Sequence, residues 1–256
     1  MTTAVRTTGR ARPGRAVLAA ETRLFLREPG SLFWVLAFPT LLLVVLGLVP
    51  GMTQPDDDLG GRSFVELYVP VSCLLAAIMA GAMALPTVVA TYREQRILRR
   101  IATTPARAGH VLGAQVVLHG TAVALSVVVV LACARLVLGV ALPAQLAGWG
   151  LAFLLALVAV LAVGGLVAGT APSVRIATAL GTAVFFPLMF TAGVWFPVSG
   201  MGGALRDVVA ATPLGAAALA LEQAQAGVWP DAVHLLVVAA WAVGLTAVAV
   251  RCFRWQ

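Results

Sequence analysis

Lysine is absent from this chain; all seventeen basic residues are arginine. Charge of either sign is scarce, at 11% of 256 residues, against 61% hydrophobic residues and a mean hydropathy of +1.00. A soluble domain of this length has too little interior to hide so much apolar surface, so the bilayer must solvate most of it. Without lysine no G-x-x-x-x-G-K-[ST] phosphate loop can form, and ATP hydrolysis by that route is excluded. Neither H-E-x-x-H nor G-x-S-x-G occurs, which removes two common hydrolytic arrangements. The three cysteines, Cys73, Cys133 and Cys252, lie in or beside apolar stretches without C-x-x-C spacing. They read as small apolar residues, not as a disulfide frame or a metal site. No metal or other cofactor is expected in this chain.

What is present is a series of long apolar runs. A helix crossing the hydrocarbon core needs about 20 such residues. Six segments qualify, at roughly 31–50, 68–90, 111–136, 146–169, 176–196 and 232–250, and Arg135 is the only charged residue within them. It lies near the end of its span, where it can snorkel. Gly139 to Pro143 supplies the turn signal between the third and fourth spans. The expected fold is an all-α membrane protein of six spans, residues 31–256, after a disordered tail (1–14) and an interfacial connecting helix (15–30). The first apolar run is too long for a signal peptide and no convincing small-x-small site follows it, so it reads as an uncleaved span.

Orientation follows from arginine counting. With the N-terminus inside, Arg6, Arg10, Arg12, Arg15, Arg23, Arg27, Arg93, Arg96, Arg99, Arg100, Arg107, Arg175, Arg251 and Arg254 are cytoplasmic. Only Arg62, Arg135 and Arg206 are outside, a ratio of 14 to 3. The net charge of +7 is thereby explained by topology and anionic head groups, and no aromatic-interleaved basic face points to nucleic acid. Arginine-only basicity with abundant Ala, Gly and Val points to a GC-rich bacterial genome, and so to a bacterial cytoplasmic membrane.

Two stretches are not simple spans. In 15–28, Val17, Leu18, Leu24 and Phe25 share a helical face, but Glu21 and Glu28 point the same way. This reads as a helix lying along the cytoplasmic surface, ended by Pro29-Gly30. Between spans five and six, 208–221 is apolar but too short to cross and is broken at Thr212-Pro213. A re-entrant pair of half-helices on the outer side fits it, since irregular backbone at depth survives only under protein or water cover. An ordinary outer loop helix is the alternative.

The loop at 91–110 carries five arginines (Arg93, Arg96, Arg99, Arg100, Arg107) against Glu94. On a helical wheel Ile97, Leu98 and Ile101 share a face with Glu94, and Arg93, Arg96, Arg99 and Arg100 take the other. Thr103-Thr104-Pro105 stops the helix. An apolar stripe in a basic cytoplasmic helix suits docking on an intracellular motor protein; a topology anchor on anionic lipid is the alternative reading.

The order of motifs carries a resemblance. Leu26-Arg27-Glu28-Pro29 precedes a proline-bearing first span, and the basic loop ends in Thr104-Pro105. Then come Phe186-Pro187, Thr191-Ala-Gly-Val-Trp-Phe-Pro197 and Thr212-Pro213-Leu214. This resembles the ABC-2 type permease family, the membrane subunits of type V ABC exporters, and in particular the daunorubicin-resistance permeases, over about Val17 to Arg254. The chain departs from the family pattern with Ala192 before Gly193. It also has Gln95-Arg96 where members often carry glycine after the acidic residue, and no second proline near Met201-Gly202. The resemblance implies that Glu94, Arg96, Arg99, Arg100, Thr104 and Pro105, supported by Arg27 and Glu28, couple the spans to a separate ABC ATPase that holds ATP and magnesium. It implies an outer gate at Phe196, Pro197, Thr212 and Pro213. It further implies a second copy of this chain, or a similar permease, as partner, together with membrane lipid. The cargo would be a small hydrophobic or amphipathic molecule (a drug, a lipid or a lipid-linked glycan), passing between the inward faces of spans one, two and five.

The competing reading is a secondary transporter or channel. Ion coupling normally uses buried carboxylates or broken helices aimed at the ion, and no Asp or Glu falls inside an expected span. His119 and His234 do; an intramembrane histidine is a candidate relay, although bonding to helix backbone accounts for it equally simply. An intramembrane enzyme ranks behind both, because no nucleophile, base or ligand set is arranged for one. Gly109-x-x-x-Gly113 and Gly165-x-x-x-Gly169 match the close-packing pattern. Pro39, Pro86 and Pro187 are expected to kink their spans and free a backbone carbonyl each.

Overall fold

The computed structural model describes residues 13–97 and 108–252. Helix α1, Pro13–Phe25, comes first. Six helices are long and apolar enough to cross a membrane. They are α2, Pro29–Gly47; α3, Phe64–Glu94; α4, Ala108–Leu136; α5, Leu146–Thr170; α6, Val174–Thr191; and α9, Ala232–Cys252. Between α6 and α9 lie two shorter helices, α7, Gly203–Ala210, and α8, Pro213–Gln225, bent by 98° at the break between them. A two-residue antiparallel ladder, Pro55–Asp56 with Arg62–Ser63, closes the loop between α2 and α3. The chain is thus a multi-pass membrane protein with the expected helical architecture.

The second span, α3, is the centre of the bundle. Of its most apolar window 78% is buried, against 17% for α2 and α6 and 11% for α9. Ser63 starts it four residues before the expected boundary, because its Oγ accepts the Glu66 N–H at 3.1 Å and Glu66 occupies the first turn. The first span also begins early. The surface helix ends at Phe25, not at Pro29, and Pro29 takes the opening turn of α2, where its missing N–H costs nothing. The fifth span ends at Thr191, short of the expected 196. Gly193 adopts φ 83°, and the Val194 N–H reaches back to the Met189 carbonyl, a left-handed glycine termination.

Each of the two first spans contains a π-helical turn, Phe33–Ala37 in α2 and Met79–Ala84 in α3. Pro39 and Pro86 follow these turns directly. A proline cannot donate to the carbonyl four residues back and its ring clashes with it, so the turn containing Val35, or Ala82, widens. In α3 the displaced carbonyls face glycine. A Cβ on Gly181 of α6 would lie 2.5 Å from the Ala82 oxygen, and one on Gly164 of α5 would lie 2.1 Å from the Gly81 oxygen. Helices α5 and α6 therefore approach α3 at backbone distance, a contact suited to Cα–H···O interaction. Of the glycine pairs singled out by spacing, Gly113 meets nothing and Gly165 only a side chain at ordinary distance.

Helix α8 has 13 residues, about 20 Å of rise, too short for a hydrocarbon core of about 30 Å. Its two ends lie at different depths. Gln145 N–H donates to the Ala224 carbonyl and Gln225 Nε2 to the Ala141 carbonyl, which fixes its C-terminal end to the α4–α5 loop. The break before it is held by Trp241 Nε1, which donates to the Ala211 carbonyl at 2.9 Å. Trp241 lies nine residues into α9, about 14 Å along it. The pair dips into the bundle and returns, and α8 is buried along most of its length. Gly215 permits the bend, since a Cβ there would lie 2.0 Å from the Val209 oxygen.

Gly164→Ala is expected to destabilise the purified protein by about 1–3 kcal/mol through overpacking against backbone that cannot rotate away. Gly113→Ala, in open space, is expected to be neutral or slightly stabilising. Thermal unfolding in one detergent checks both; equal melting temperatures for the two variants would contradict the close approach.

Candidate functional site

Of the residues singled out for coupling, Glu94 and Arg96 sit where α3 leaves the bundle. Arg99, Arg100, Thr104 and Pro105 fall in 98–107, outside the described residues. Glu94 ends α3, and Arg96 follows at φ 55°, the only non-glycine residue with positive φ among those described. This left-handed residue turns the chain out of α3 before Ile97, which is helical again. It stands in the stretch where the family pattern often has glycine, and its backbone takes the conformation that glycine adopts most easily.

Arg93 and Glu94 both bond back to the bundle, although the Glu94 side chain is exposed. Glu94 Oε1 accepts the Val174 N–H at 2.8 Å, capping the first turn of α6. Ser173 Oγ accepts the Ile176 N–H at 3.3 Å in the same turn. The Arg93 guanidinium donates through Nη1 to the Ala171 carbonyl, at the end of α5. Arg93 and Glu94, at the root of the basic loop, thus hold both sides of the α5–α6 turn.

The surface helix is anchored beside it. Glu21, on the face where a carboxylate looked out of place, is 6% exposed. Its Oε2 accepts Tyr92 Oη at 2.6 Å, from α3, and Gln115 Nε2 at 2.7 Å, from α4. Phe25 adds an edge-to-face contact with His119, ring centroids 5.3 Å apart. Glu21 is therefore the polar pin of α1, a role sequence reading missed; the signal was its apolar surroundings, since a carboxylate is buried only with partners. His119 itself lies 2.9 Å through Nδ1 from the Gln115 carbonyl of its own helix. His234, beside Asp231 at 3.9 Å, stands at the start of α9 and not at mid-span. Arg27 is exposed, and Glu28 accepts Ser31 Oγ at a long 3.4 Å.

Above these contacts a cavity of about 700 Å³ opens between α2, α3 and α6. This is within the range of sites for drug-sized ligands. Glu28, Ser31, Thr91 and Tyr92 line it near the arginine-rich end; Trp34, Phe38, Phe185 and Phe186 give aromatic walls, and Met79, Met83 and Met189 adaptable ones. Both π-helical turns contribute, through Trp34 and Val35 and through Met79, Met83 and Ala84. The spans are the three expected to face the pathway.

The candidate gate residues lie at the opposite end and in two groups. Phe196 is half exposed and Pro197 opens a short 3₁₀ turn, Val198–Gly200. Thr212 is the N-cap of α8, its Oγ1 accepting the Gly215 N–H at 3.1 Å, with Pro213 at the first helical position. The loop between α2 and α3 is tied to this region by an ion pair, Arg62 to Glu222, at 2.5 Å. Among the described residues no cluster of three or more His, Cys, Asp or Glu side chains is placed to hold a metal.

A family model described as ABC-2 type transporter matches residues 14–225, most of the chain and all of the elements that build the cavity and the loop. A search of the curated proteins finds no match.

Glu21→Ala would leave the Tyr92 hydroxyl and the Gln115 amide unpaired, at about 1–3 kcal/mol each. Trypsin cuts this chain only at arginine, and cleavage at Arg23 and Arg27 is expected to accelerate about tenfold as α1 detaches. Unchanged cleavage would show that Glu21 does not pin the helix.

Proposed function

The chain belongs to the ABC-2 type transporter family, and from that premise we propose that it is the permease subunit of an ATP-binding cassette exporter in a bacterial cytoplasmic membrane, N-terminus inside. It is a transport subunit without an ATPase domain of its own, and a separate ATPase binding ATP with magnesium drives it. A second copy or a similar permease completes the pathway. The cargo is a hydrophobic or amphipathic molecule (a drug, a lipid or a lipid-linked glycan) that enters the cavity between α2, α3 and α6.

One observation supports this reading above the others: the hold of Arg93 and Glu94 on the α5–α6 turn. Helix α3 carries the cavity wall on one stretch and the root of the basic loop at its end. A push on Arg96, Arg99, Arg100, Thr104 and Pro105 would travel through Glu94 into α6, another wall of the same cavity. Arg27 and Glu28, in the turn between α1 and α2, would form the second edge of the docking surface. Phe196, Pro197, Thr212 and Pro213 would form the outer gate, because the bend at Ala211–Thr212 is a place where α7 can swing on α8. The secondary-transport reading needs an ion relay through the spans. His119 bonded to its own helix and His234 at a helix end give it little support.

The double variant Arg99→Glu, Arg100→Glu is expected to insert normally yet lose ATP-driven transport by tenfold or more. Co-purification of a P-loop ATPase with the wild type but not the variant is the checking measurement. A variant that still retains the ATPase and transports at the wild-type rate would refute the coupling assignment.

A further inference from the structure

We propose that one ordered water is held inside the bundle between Gln115 and His119, at the joint where α1 is pinned to α3 and α4. The inference does not depend on the transport reading. Gln115, His119 and Ser126 are three of the seven buried polar or charged residues among those described. They lie on one face of α4, within about 40° of one another at 3.6 residues per turn. Each carries a buried atom with no hydrogen-bond partner among the described residues: Gln115 Oε1, His119 Nε2 and Ser126 Oγ. Buried polar side chains in folded proteins are nearly always paired, and where no protein group does it an ordered water commonly does.

Two of these atoms need the same thing. Gln115 Nε2 donates to Glu21 Oε2 at 2.7 Å, and turning the amide round would set its oxygen against the carboxylate. Gln115 Oε1 is thereby fixed as an acceptor. His119 Nδ1 lies 2.9 Å from the Gln115 carbonyl, which can only accept, so Nδ1 carries the proton and the neutral ring presents a lone pair at Nε2. Phe25, edge-on to His119, has no donor to offer, and the Tyr92 hydroxyl is already given to Glu21. Two acceptors one helical turn apart call for a small molecule with two donors, and water has them. Its hydrogen bonds reach about 2.8 Å each, which suits side chains whose Cβ atoms stand about 5–6 Å apart. Two partners are the minimum that holds a buried water. The network of Tyr92, Glu21 and Gln115 then extends to His119, and so to the ring against which Phe25 of α1 packs.

X-ray footprinting of the purified full-length chain in an uncharged maltoside detergent tests the site, because hydroxyl radicals formed from an ordered water oxidise the side chains beside it. Phe25 and His119 are the reporters, since both are buried from bulk solvent; Leu74 and Leu75, fully buried in α3, set the background. The wild type is expected to be oxidised at Phe25 and His119 above that background. His119→Phe keeps a ring against Phe25 but removes the lone pair, and oxidation of Phe25 should fall to background. His119→Gln restores an acceptor and should keep it. Ser126→Ala, about 10 Å further along α4, should leave it unchanged. Wild-type oxidation of Phe25 and His119 no higher than that of Leu74 and Leu75 would overturn the assignment. Oxidation of Phe25 that persists in His119→Phe would also overturn it, by showing that bulk water reaches the underside of α1.

Discussion

A proline inside a membrane span leaves a carbonyl that water cannot satisfy, and where that carbonyl goes organises this protein. In α3, Pro86 widens the turn at Met79–Ala84, and the Gly81 and Ala82 oxygens are met by Gly164 of α5 and Gly181 of α6. Only glycine lets two further helices come so near. The same turn presents Met79, Met83 and Ala84 to the cavity, opposite the corresponding turn of α2. One backbone irregularity therefore sets the packing of three spans and shapes the space between α2, α3 and α6. A π-helical turn is also a point where a helix can re-register by a residue at low cost, and π-turns concentrate at functional sites.

Most polar contacts between elements lie toward the two ends of the bundle and do different work at each. At the arginine-rich end, Glu21 joins α1 to α3 and α4, and Arg93 with Glu94 joins α3 to the α5–α6 turn. These bonds, exposed only at Glu94, join the surface helix, the loop root and the α5–α6 turn. At the opposite end Arg62–Glu222, Gln225 with Ala141, and the reciprocal pair of Gln223 and Asp231 hold α8 to three surrounding loops. Between them α2, α6 and α9 are largely uncovered and carry few such bonds.

Much of the architecture was legible from hydropathy and arginine placement. The six spans, the first helix and the broken pair before the last span follow from run length, charge and proline positions. Boundaries were missed where capping overrides hydropathy. Ser63 and Glu66 start α3 in a stretch that reads as loop, and Gly193 stops α6 inside a stretch that reads as span. Glycine spacing pointed to Gly113 and Gly165, whereas the close approaches fall at Gly81, Gly164 and Gly181, because the carbonyls they meet, of Val160, Gly81 and Ala82, are brought there by neighbouring helices. Glu21 and Glu28 both looked like blemishes on an apolar face. Their separate positions, one pinned by two donors and one unpaired at a cavity, arise from tertiary contacts with α3 and α4 that no local pattern encodes.

We propose that movement of cargo by this chain is driven through its basic loop by a separate ATPase, not by an ion gradient. The most direct measurement is uptake into inverted vesicles containing the chain together with its co-purifying ATPase, energised in turn by ATP without gradients and by a proton or sodium gradient without ATP. Accumulation with ATP alone, abolished by omitting the ATPase, is the predicted result. Accumulation on a gradient alone, with the ATPase absent, would contradict it.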